Sequence, residues 1–213
     1  HRAQADVSLP RKKNAWARLV RAKIEGQASV LENLKIRGSG ELLALADQVR
    51  SGDPGNVEAQ AARLYWSRTL GRGAGRQPAA GQLIGANACL DYGYAVLRGH
   101  LMRAVLAAGL APALGVFHRG RGNAFALADD LIEPFRPAID EVALPLPATA
   151  SPSDREVKQL LVAAASQRFD ADGHGIPAVA EALAQSFGRY IEGDIDRLQV
   201  ASWQGPSRVG VGD

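Results

Sequence analysis

Apolar side chains recur every three or four residues along most of the chain, which is the spacing of one face of an α-helix. The clearest example follows a basic run, where Trp16, Leu19 and Ile24 belong to a helix predicted over about 12–35. Further helices are predicted at about 41–50, 57–70, 83–108, from 123 onward, from 153 or 154 to 168, and over 179–198. No segment alternates convincingly as a strand would, and no internal repeat is visible. The pattern predicts an all-α, multi-helix domain over residues 1–204 and a flexible tail at 205–213.

Glycine and proline divide these helices. Gly109 is placed to end the helix predicted over 83–108, and Pro134 and Pro137 should bend or end the next one. A turn at 51–56 precedes the third helix and offers it a capping side chain.

Composition narrows the class of protein. The chain has 213 residues, of which 46% are hydrophobic, so it is not a disordered chain and can form one large domain. It contains no apolar run near the roughly 18 residues that a membrane-spanning helix needs. The single cysteine, Cys89, cannot form an intramolecular disulfide, so we expect a cytoplasmic location. The start, His1 and Arg2, resembles neither an initiator methionine nor a signal peptide, so we expect the chain to begin within a longer protein.

Charge is unevenly distributed along the chain. Residues 1–37 hold nine Lys and Arg against three acidic residues, an excess of +6, whereas residues 127–157 carry a local charge of −5. Arginine supplies 20 of the 25 basic residues, and its planar guanidinium grips phosphate with two hydrogen bonds. An acidic focus in a basic chain indicates a metal ion near phosphate; the alternative is two solvated faces.

Glu58 is the first unusual residue, because Ala61 and Tyr65 share its helix face. A carboxylate on that apolar face needs an arginine partner, a metal ion or a raised pKa. An ion pair with Arg63 or another arginine is the structural alternative to metal binding.

A second acidic group follows a histidine. His118 lies between an apolar stretch and an Arg/Gly loop, and Asp130 and Glu133 are spaced to project from one helix face, with Asp129 one turn from Glu133. Neighbouring carboxylates repel unless a cation lies between them. A histidine with several carboxylates suits Mg²⁺ or Mn²⁺ better than structural Zn²⁺, although a lone histidine is more often a hydrogen-bonded structural residue.

Three arginines, Arg119, Arg121 and Arg136, flank this acidic group in the sequence. They could simply neutralise the carboxylates, or they could hold a phosphodiester bound to the metal ion. The spacing leaves both interpretations open.

One motif imitates a calcium site. Asp170, Asp172, His174 and Glu181 follow the spacing of an EF-hand loop, but His174 replaces an oxygen ligand and Pro177 interrupts the loop. We interpret this segment as a turn with a helix cap and reject a calcium site there.

Four segments, in this order, resemble the CRISPR-associated integrase in its type II form, the catalytic subunit of the spacer-acquisition complex. They are residues 58–66, 87–95, 109–118 and 123–137. The basic helix with Trp16 and Lys23 and the last helix around Ser186 are also similar, so the resemblance covers nearly the whole chain.

The resemblance implies a metal-dependent DNA endonuclease and integrase that inserts short DNA segments into a CRISPR array by transesterification. It implies that Glu58, His118 and Glu133 hold Mg²⁺ or Mn²⁺, that Asp130 assists them as a further metal-binding residue, and that Tyr92 lies near the DNA. Asp91 departs from the family pattern, which usually has asparagine there, and places a negative charge near the site.

The resemblance also implies partners: DNA, as the prespacer duplex and the CRISPR repeat and leader, a second copy in the full-length protein, and a small ferredoxin-like companion subunit. No membrane is implied. The family's N-terminal β domain, which builds the homodimer, is absent from these 213 residues, so we expect weakened assembly.

Two alternatives remain. The chain could be a non-catalytic helical DNA-binding module in which Glu58, His118 and Glu133 form a structural polar cluster. It could also be a transposon-borne integrase of the same superfamily, which would append a helix-turn-helix; we expect none in residues 205–213.

Overall fold

The computed structural model describes residues 2–71, 75–78, 81–118 and 122–206. Within these ranges the chain folds into α-helices and one 3₁₀ turn, without a strand, so the all-α prediction is confirmed. The helices are α1 (Arg2–Asp6), α2 (Leu9–Asn33), α3 (Ser39–Ala46), α4 (Val57–Thr69), α5 (Gly85–Ala107), α6 (Ala126–Leu131), α7 (Arg136–Ala143), α8 (Arg155–Ala164) and α9 (Ile176–Glu192), with the 3₁₀ turn at Glu133–Phe135. None of the helices in this part of the chain is both long and apolar enough to cross a membrane.

Helix α2 is the central element, and α3, α4, the 3₁₀ turn and α7 pack around it. It begins three residues earlier than the periodicity predicts, because Ser8 caps its N-terminus and Pro10 lies in its first turn. Its apolar face, with Trp16 and Ile24 fully buried or nearly so, contributes to one continuous hydrophobic core.

The turn before α4 sets the position of Glu58. The capping side chain is Asp53, whose carboxylate accepts hydrogen bonds from the backbone N–H of Val57 (2.8 Å) and of Glu58 (3.0 Å). Asn56, the residue directly before the helix, has a left-handed backbone and makes no capping hydrogen bond. Glu58 therefore lies in the first turn of α4, where its backbone N–H is bonded to Asp53.

The prolines divide the segment after residue 123 as predicted. Helix α6 ends at Leu131, the 3₁₀ turn contains Pro134, and α7 begins at Arg136. Asp130 and Glu133 consequently do not project from one regular helix face, and that prediction is wrong. Helix α7 packs so closely on α5 that a Cβ atom at Gly93 would come within 2.4 Å of Ile139.

The last third of the chain is less helical than the periodicity predicts. Helix α8 ends at Ala164, and α9 ends at Glu192 because Gly193 adopts a left-handed backbone that terminates it. After α9 the chain returns to the core, where Trp203 is fully buried and donates a hydrogen bond to Glu141 at 2.6 Å. Of the predicted tail, residues 207–213 lie outside the described residues.

Candidate active site

His118 is held by a fully buried carboxylate. Asp130 accepts hydrogen bonds from the backbone N–H groups of Val116, Phe117 and His118, and its Oδ1 lies 2.6 Å from His118 Nδ1. The hydrogen bond with Asp130 raises the pKa of His118, although burial opposes it. Because Asp130 accepts at Nδ1, the imidazole carries its proton there and its Nε2 is the nitrogen with a free lone pair.

Gly115 makes this arrangement possible. A side chain at that position would come within 2.8 Å of Asp130 Oδ2 and 2.6 Å of the backbone oxygen of His118. The loop can wrap around the carboxylate only because residue 115 has no Cβ.

A second group of charges brings three elements together. Lys23 of α2 lies 2.8 Å from Glu58 Oε1 of α4 and 2.6 Å from Glu133 Oε2 of the 3₁₀ turn. The contact with Glu58 has hydrogen-bond geometry, whereas Glu133 Oε2 makes a close charge contact without it. Glu58 therefore pairs with Lys23 and not with the arginine that the sequence suggested; Arg63 is exposed.

Arg136 holds the other side of Glu133. Its Nε donates to Glu133 Oε1 at 2.9 Å, and its guanidinium lies 4.6 Å from the centre of the Tyr94 ring. Burial raises the pKa of Glu133, but Arg136 and Lys23 outweigh it and lower that pKa from 4.5 to about 2. Lys23, Glu58, Glu133 and Arg136 are called the central cluster below.

Asp140 lies beneath the central cluster, 1% exposed. It accepts hydrogen bonds from the hydroxyls of Tyr65 (2.9 Å) and Tyr94. Burial raises the pKa of Asp140 to about 6, against the lowering effects of the two hydroxyls and of Arg136. Burial thus moves the pKa of this carboxyl toward neutral pH.

A cleft of about 450 Å³ opens beside these groups. Its charged lining residues are Lys23, Arg76, Asp91, Arg98, Glu133, Arg136 and Asp140. Tyr94 faces this cleft together with Trp66, whereas Tyr92, the tyrosine that the sequence predicts near DNA, is half-buried and packs on the core. The negative charge of Asp91 is neutralised by an ion pair with Arg76.

The remaining predicted site residues have other surroundings. Asp129 binds Arg98 and accepts a hydrogen bond from Asn123 at 2.8 Å, so it does not join the central cluster. Arg119 and Arg121 lie outside the described residues.

The donor groups of the central cluster suit a divalent cation. Two carboxylate oxygens, from Glu58 and Glu133, already face a single cation, and Glu133 Oε2 lacks a hydrogen-bond partner. Metal-ligating histidines characteristically donate their other ring N–H to a carboxylate, as His118 does to Asp130. The ligand atoms of Glu58, His118 and Glu133 do not, however, all lie within 4.8 Å of one another.

One group in the described part of the chain does meet that spacing: Asp170, Asp172 and His174. These residues, called the turn group below, lie in the turn between α8 and α9. Asp170 accepts hydrogen bonds from the backbone N–H of His174 at 2.8 Å and contacts its Nδ1 at 2.9 Å. The predicted turn is present, but α9 begins after Gly175 without a side-chain cap.

Sequence reasoning missed several members of the site. It named Lys23 only as part of the family resemblance, and it did not single out Tyr65, Tyr94 or Asp140 as functional. Asp140 stands beside Glu141 in the sequence, so nothing marks it as an isolated carboxylate. Nothing in the sequence pairs it with tyrosines 46 and 75 residues away.

Comparison with known proteins identifies similar sequences. A sequence model of the family described as CRISPR associated protein Cas1 matches residues 1–151. The CRISPR-associated endonuclease Cas1 of Neisseria meningitidis serogroup C is 45% identical over 138 residues, which are 64% of this chain and 44% of that protein. The CRISPR-associated endonuclease Cas1 1 of Thermus thermophilus is 35% identical over 141 residues, 62% of this chain and 41% of that protein. The chain thus spans less than half the length of these two relatives.

Solved structures share the fold at low sequence identity. A casposase bound to integration product superposes with a TM-score of 0.75 and 18% identity, over 96% of this chain and 67% of that chain. A Cas1 protein from Thermotoga maritima gives a TM-score of 0.67 and 19% identity, over 90% of this chain and 69% of that chain. These matches agree with the all-α architecture.

Proposed function

Because the chain belongs to the family of CRISPR associated protein Cas1, we propose that it is the helical catalytic domain of a metal-dependent DNA endonuclease and integrase. Its reaction would insert short DNA segments into a CRISPR array. Membership confirms the resemblance found in the sequence, and the match to the Neisseria protein is consistent with the type II form. The observation that carries the proposal is the convergence of Glu58 and Glu133 on one cation position, near a histidine oriented by a carboxylate.

The names of similar proteins support the same activity. The Neisseria and Thermus relatives are named as endonucleases. The casposase, whose fold this chain shares, was captured with an integration product. We therefore propose DNA as the substrate of this chain as well.

We propose that Glu58, Glu133 and His118 hold Mg²⁺ or Mn²⁺. Asp130 uses its oxygens on the backbone of the loop and on His118 Nδ1, so it would act by fixing the ring with Nε2 toward the ion. Such an ion, when bound, polarises a phosphoryl oxygen and stabilises the charge that develops on the leaving oxygen.

The reaction would be a transesterification. A DNA 3′-hydroxyl oxygen forms a new bond to phosphorus, the bond from phosphorus to the leaving 3′-oxygen breaks, and that oxygen takes up a proton. One phosphodiester replaces another, so no covalent protein intermediate and no energy source are required. We propose that Arg136, which is held by Glu133 and Tyr94, binds the phosphate at the cleft, and that Tyr92, Arg119 and Arg121 contact DNA.

Assembly follows as part of the same proposal. The matched relatives are more than twice as long as the matched part of this chain, and one structural neighbour is a partial Cas6-RT-Cas1–Cas2 complex with a TM-score of 0.76 at 16% identity. We propose that the full-length protein forms a homodimer, binds a small ferredoxin-like companion and acts in the cytoplasm.

One observation favours the alternative, a non-catalytic DNA-binding module. Lys23 and Arg136 neutralise Glu58 and Glu133 without any metal ion. In that case DNA affinity would be indifferent to a chelator, and the cluster would serve stability alone.

Strand cutting and joining separate the two functions. We would incubate this chain and its His118→Ala variant with branched DNA carrying an integrated half-site, in Mn²⁺ or in chelator. We expect wild type to cut or join strands only with Mn²⁺. His118→Ala should still bind the same DNA, but its rate of strand cutting or joining should be at least about 100-fold lower. Activity that survives either the chelator or the substitution would contradict the metal-site proposal. If neither protein reacts, the same comparison in the full-length protein decides between the two functions.

A further inference from the structure

Lys23 lies between the two carboxylates that we propose as metal ligands, Glu58 and Glu133. Its ammonium nitrogen lies 2.8 Å from Glu58 Oε1 and 2.6 Å from Glu133 Oε2, and its side chain is only 15% exposed. A lysine is ordinarily a cation at neutral pH, and its position between two carboxylates keeps it one. The oxygens that contact this cation are the ones that the metal ion would use.

The two cations of the central cluster hold Glu133 differently. Arg136 makes an aligned hydrogen bond to Oε1, and its guanidinium is stacked over Tyr94. Lys23 contacts Oε2 from the end of a flexible side chain with four rotatable bonds. Glu133 can therefore keep Arg136 while it loses Lys23.

An ammonium and a divalent ion cannot share this oxygen pair. Both would lie within a few ångströms of each other in a largely buried site, where like charges repel strongly. Without either cation, Glu58 and Glu133 would repel each other in turn. Either the ammonium or the divalent ion must therefore be present, and the ammonium must leave when the divalent ion binds.

We propose that Lys23 is a resident counter-ion, which stabilises the metal-free domain and which a divalent ion must displace from Glu58 and Glu133. The inference rests on the proposed metal-dependent function of the same site. It assigns to Lys23 a positioning role in the metal-free state and a competing role in metal binding, because the same contacts cause both effects.

Mn²⁺ binding to the Lys23→Met variant tests the competition. Calorimetric titration should give at least about tenfold tighter binding than wild type, since no ammonium has to be displaced. The metal-free variant should unfold several degrees lower than wild type, and Mn²⁺ should raise its unfolding temperature by more. Lys158→Met, which removes an exposed lysine of α8, is the matched control for net charge and should change neither quantity.

The outcomes separate the inference from the function on which it rests. If wild type does not bind Mn²⁺, or if Glu58→Gln leaves its affinity unchanged, the proposed metal site is wrong. If wild type binds Mn²⁺ through Glu58 but Lys23→Met binds no more tightly, only the counter-ion inference is overturned. If Lys23 had only a structural role, Lys23→Met would lower the stability without raising the affinity for Mn²⁺.

A second measurement does not depend on a folded Lys23→Met variant. In protein labelled with ¹⁵N-lysine, the Nζ signal of Lys23, assigned with Lys23→Arg, should shift as Mg²⁺ is added. The signals of the other four lysines should stay in place. An unchanged Lys23 signal at saturating Mg²⁺ would overturn the displacement.

Discussion

Two groups of acidic residues in this domain differ in how the chain assembles them. The turn group comes from five consecutive residues, and its ligand atoms lie within 4.8 Å of one another. The central cluster draws Lys23, Glu58 and Glu133 from three separate elements, which span 110 residues. Of the two, the local group has the more obvious metal-binding motif, and the dispersed one has the more unusual chemistry.

The difference lies in what the carboxylates contact. In the turn group, Asp170 binds the backbone and ring of His174, four residues away, and the histidine side chain is 59% exposed. Those bonds close a turn, as aspartate side chains commonly do, and explain the arrangement without a ligand. In the central cluster, Glu133 is 6% exposed and meets only cations. Burying a carboxylate is costly, and the two ion pairs offset that cost without closing a turn.

The largest effect is expected where the two groups look most alike, in the contact of a histidine with an aspartate. Asp130→Asn should lower Mn²⁺ affinity or the strand-joining rate about 10- to 100-fold. An uncharged amide accepts the hydrogen bond from His118 Nδ1–H less strongly than a carboxylate does, so it orients the ring less well. Mn²⁺ titration and the DNA assay would measure both.

Asp129→Asn is the control for that change, since Asp129 lies next to Asp130 on α6 but pairs with Arg98 of α5. Thermal unfolding of both variants checks that each is folded at the assay temperature. Equal losses in the two variants would mean that His118 needs no orienting carboxylate.

A smaller effect should appear in stability as pH changes. Burial raises the pKa of Asp140 to about 6, whereas the unfolded value is about 3.9. The folded state then binds more protons between pH ~4 and ~6, so the free energy of unfolding falls as pH rises through that window, by up to about 3 kcal/mol. Asp140→Asn should lack this slope in urea unfolding measured across pH.

Asp170 sharpens the contrast, because its pKa moves the other way. Burial is the largest single influence on the pKa of Asp170 and raises it, but the hydrogen bonds and charge of His174 and the backbone of Asp172 together outweigh burial and lower that pKa. Its stabilising contribution is present above its unfolded pKa and is lost as pH falls through the folded value. Parallel pH profiles for wild type and Asp140→Asn would show that Asp140 is not protonated in the fold.

The sequence predicted the positions of the helices better than the side-chain contacts between them. Helical spacing located α2, α4 and α5 because each buries a long apolar face, and Pro134 marked the break that presents Glu133. Spacing within a helix fixes the face that a side chain shares but not its partner on another helix. For that reason the sequence left an arginine, a metal ion and a raised pKa open for Glu58, while packing placed Lys23, 35 residues earlier, against it.

The prediction of one face for Asp130 and Glu133 failed for a local reason. Pro134 cannot donate a helical hydrogen bond, so α6 stops at Leu131 and the two carboxylates separate. Asp130 turns to the loop of Gly115 and His118, and Glu133 turns to Lys23 and Arg136. The sequence thus singled out Asp130 and Glu133, but the different contacts of the two carboxylates depend on this break in the helix.

The smallest effect is expected in the turn group itself. His174→Ala should leave Mn²⁺ affinity and strand joining within about twofold of wild type, because His174 lies outside the cleft and is mostly exposed. Its loss removes one partner of Asp170 and should lower the free energy of unfolding by no more than about 0.5 kcal/mol, as is usual for surface positions. Mn²⁺ titration of His118→Ala under the same conditions provides the direct comparison. If His174→Ala weakened Mn²⁺ binding and His118→Ala did not, the ion would belong to the turn group, and a local constellation would have to be preferred over the dispersed one.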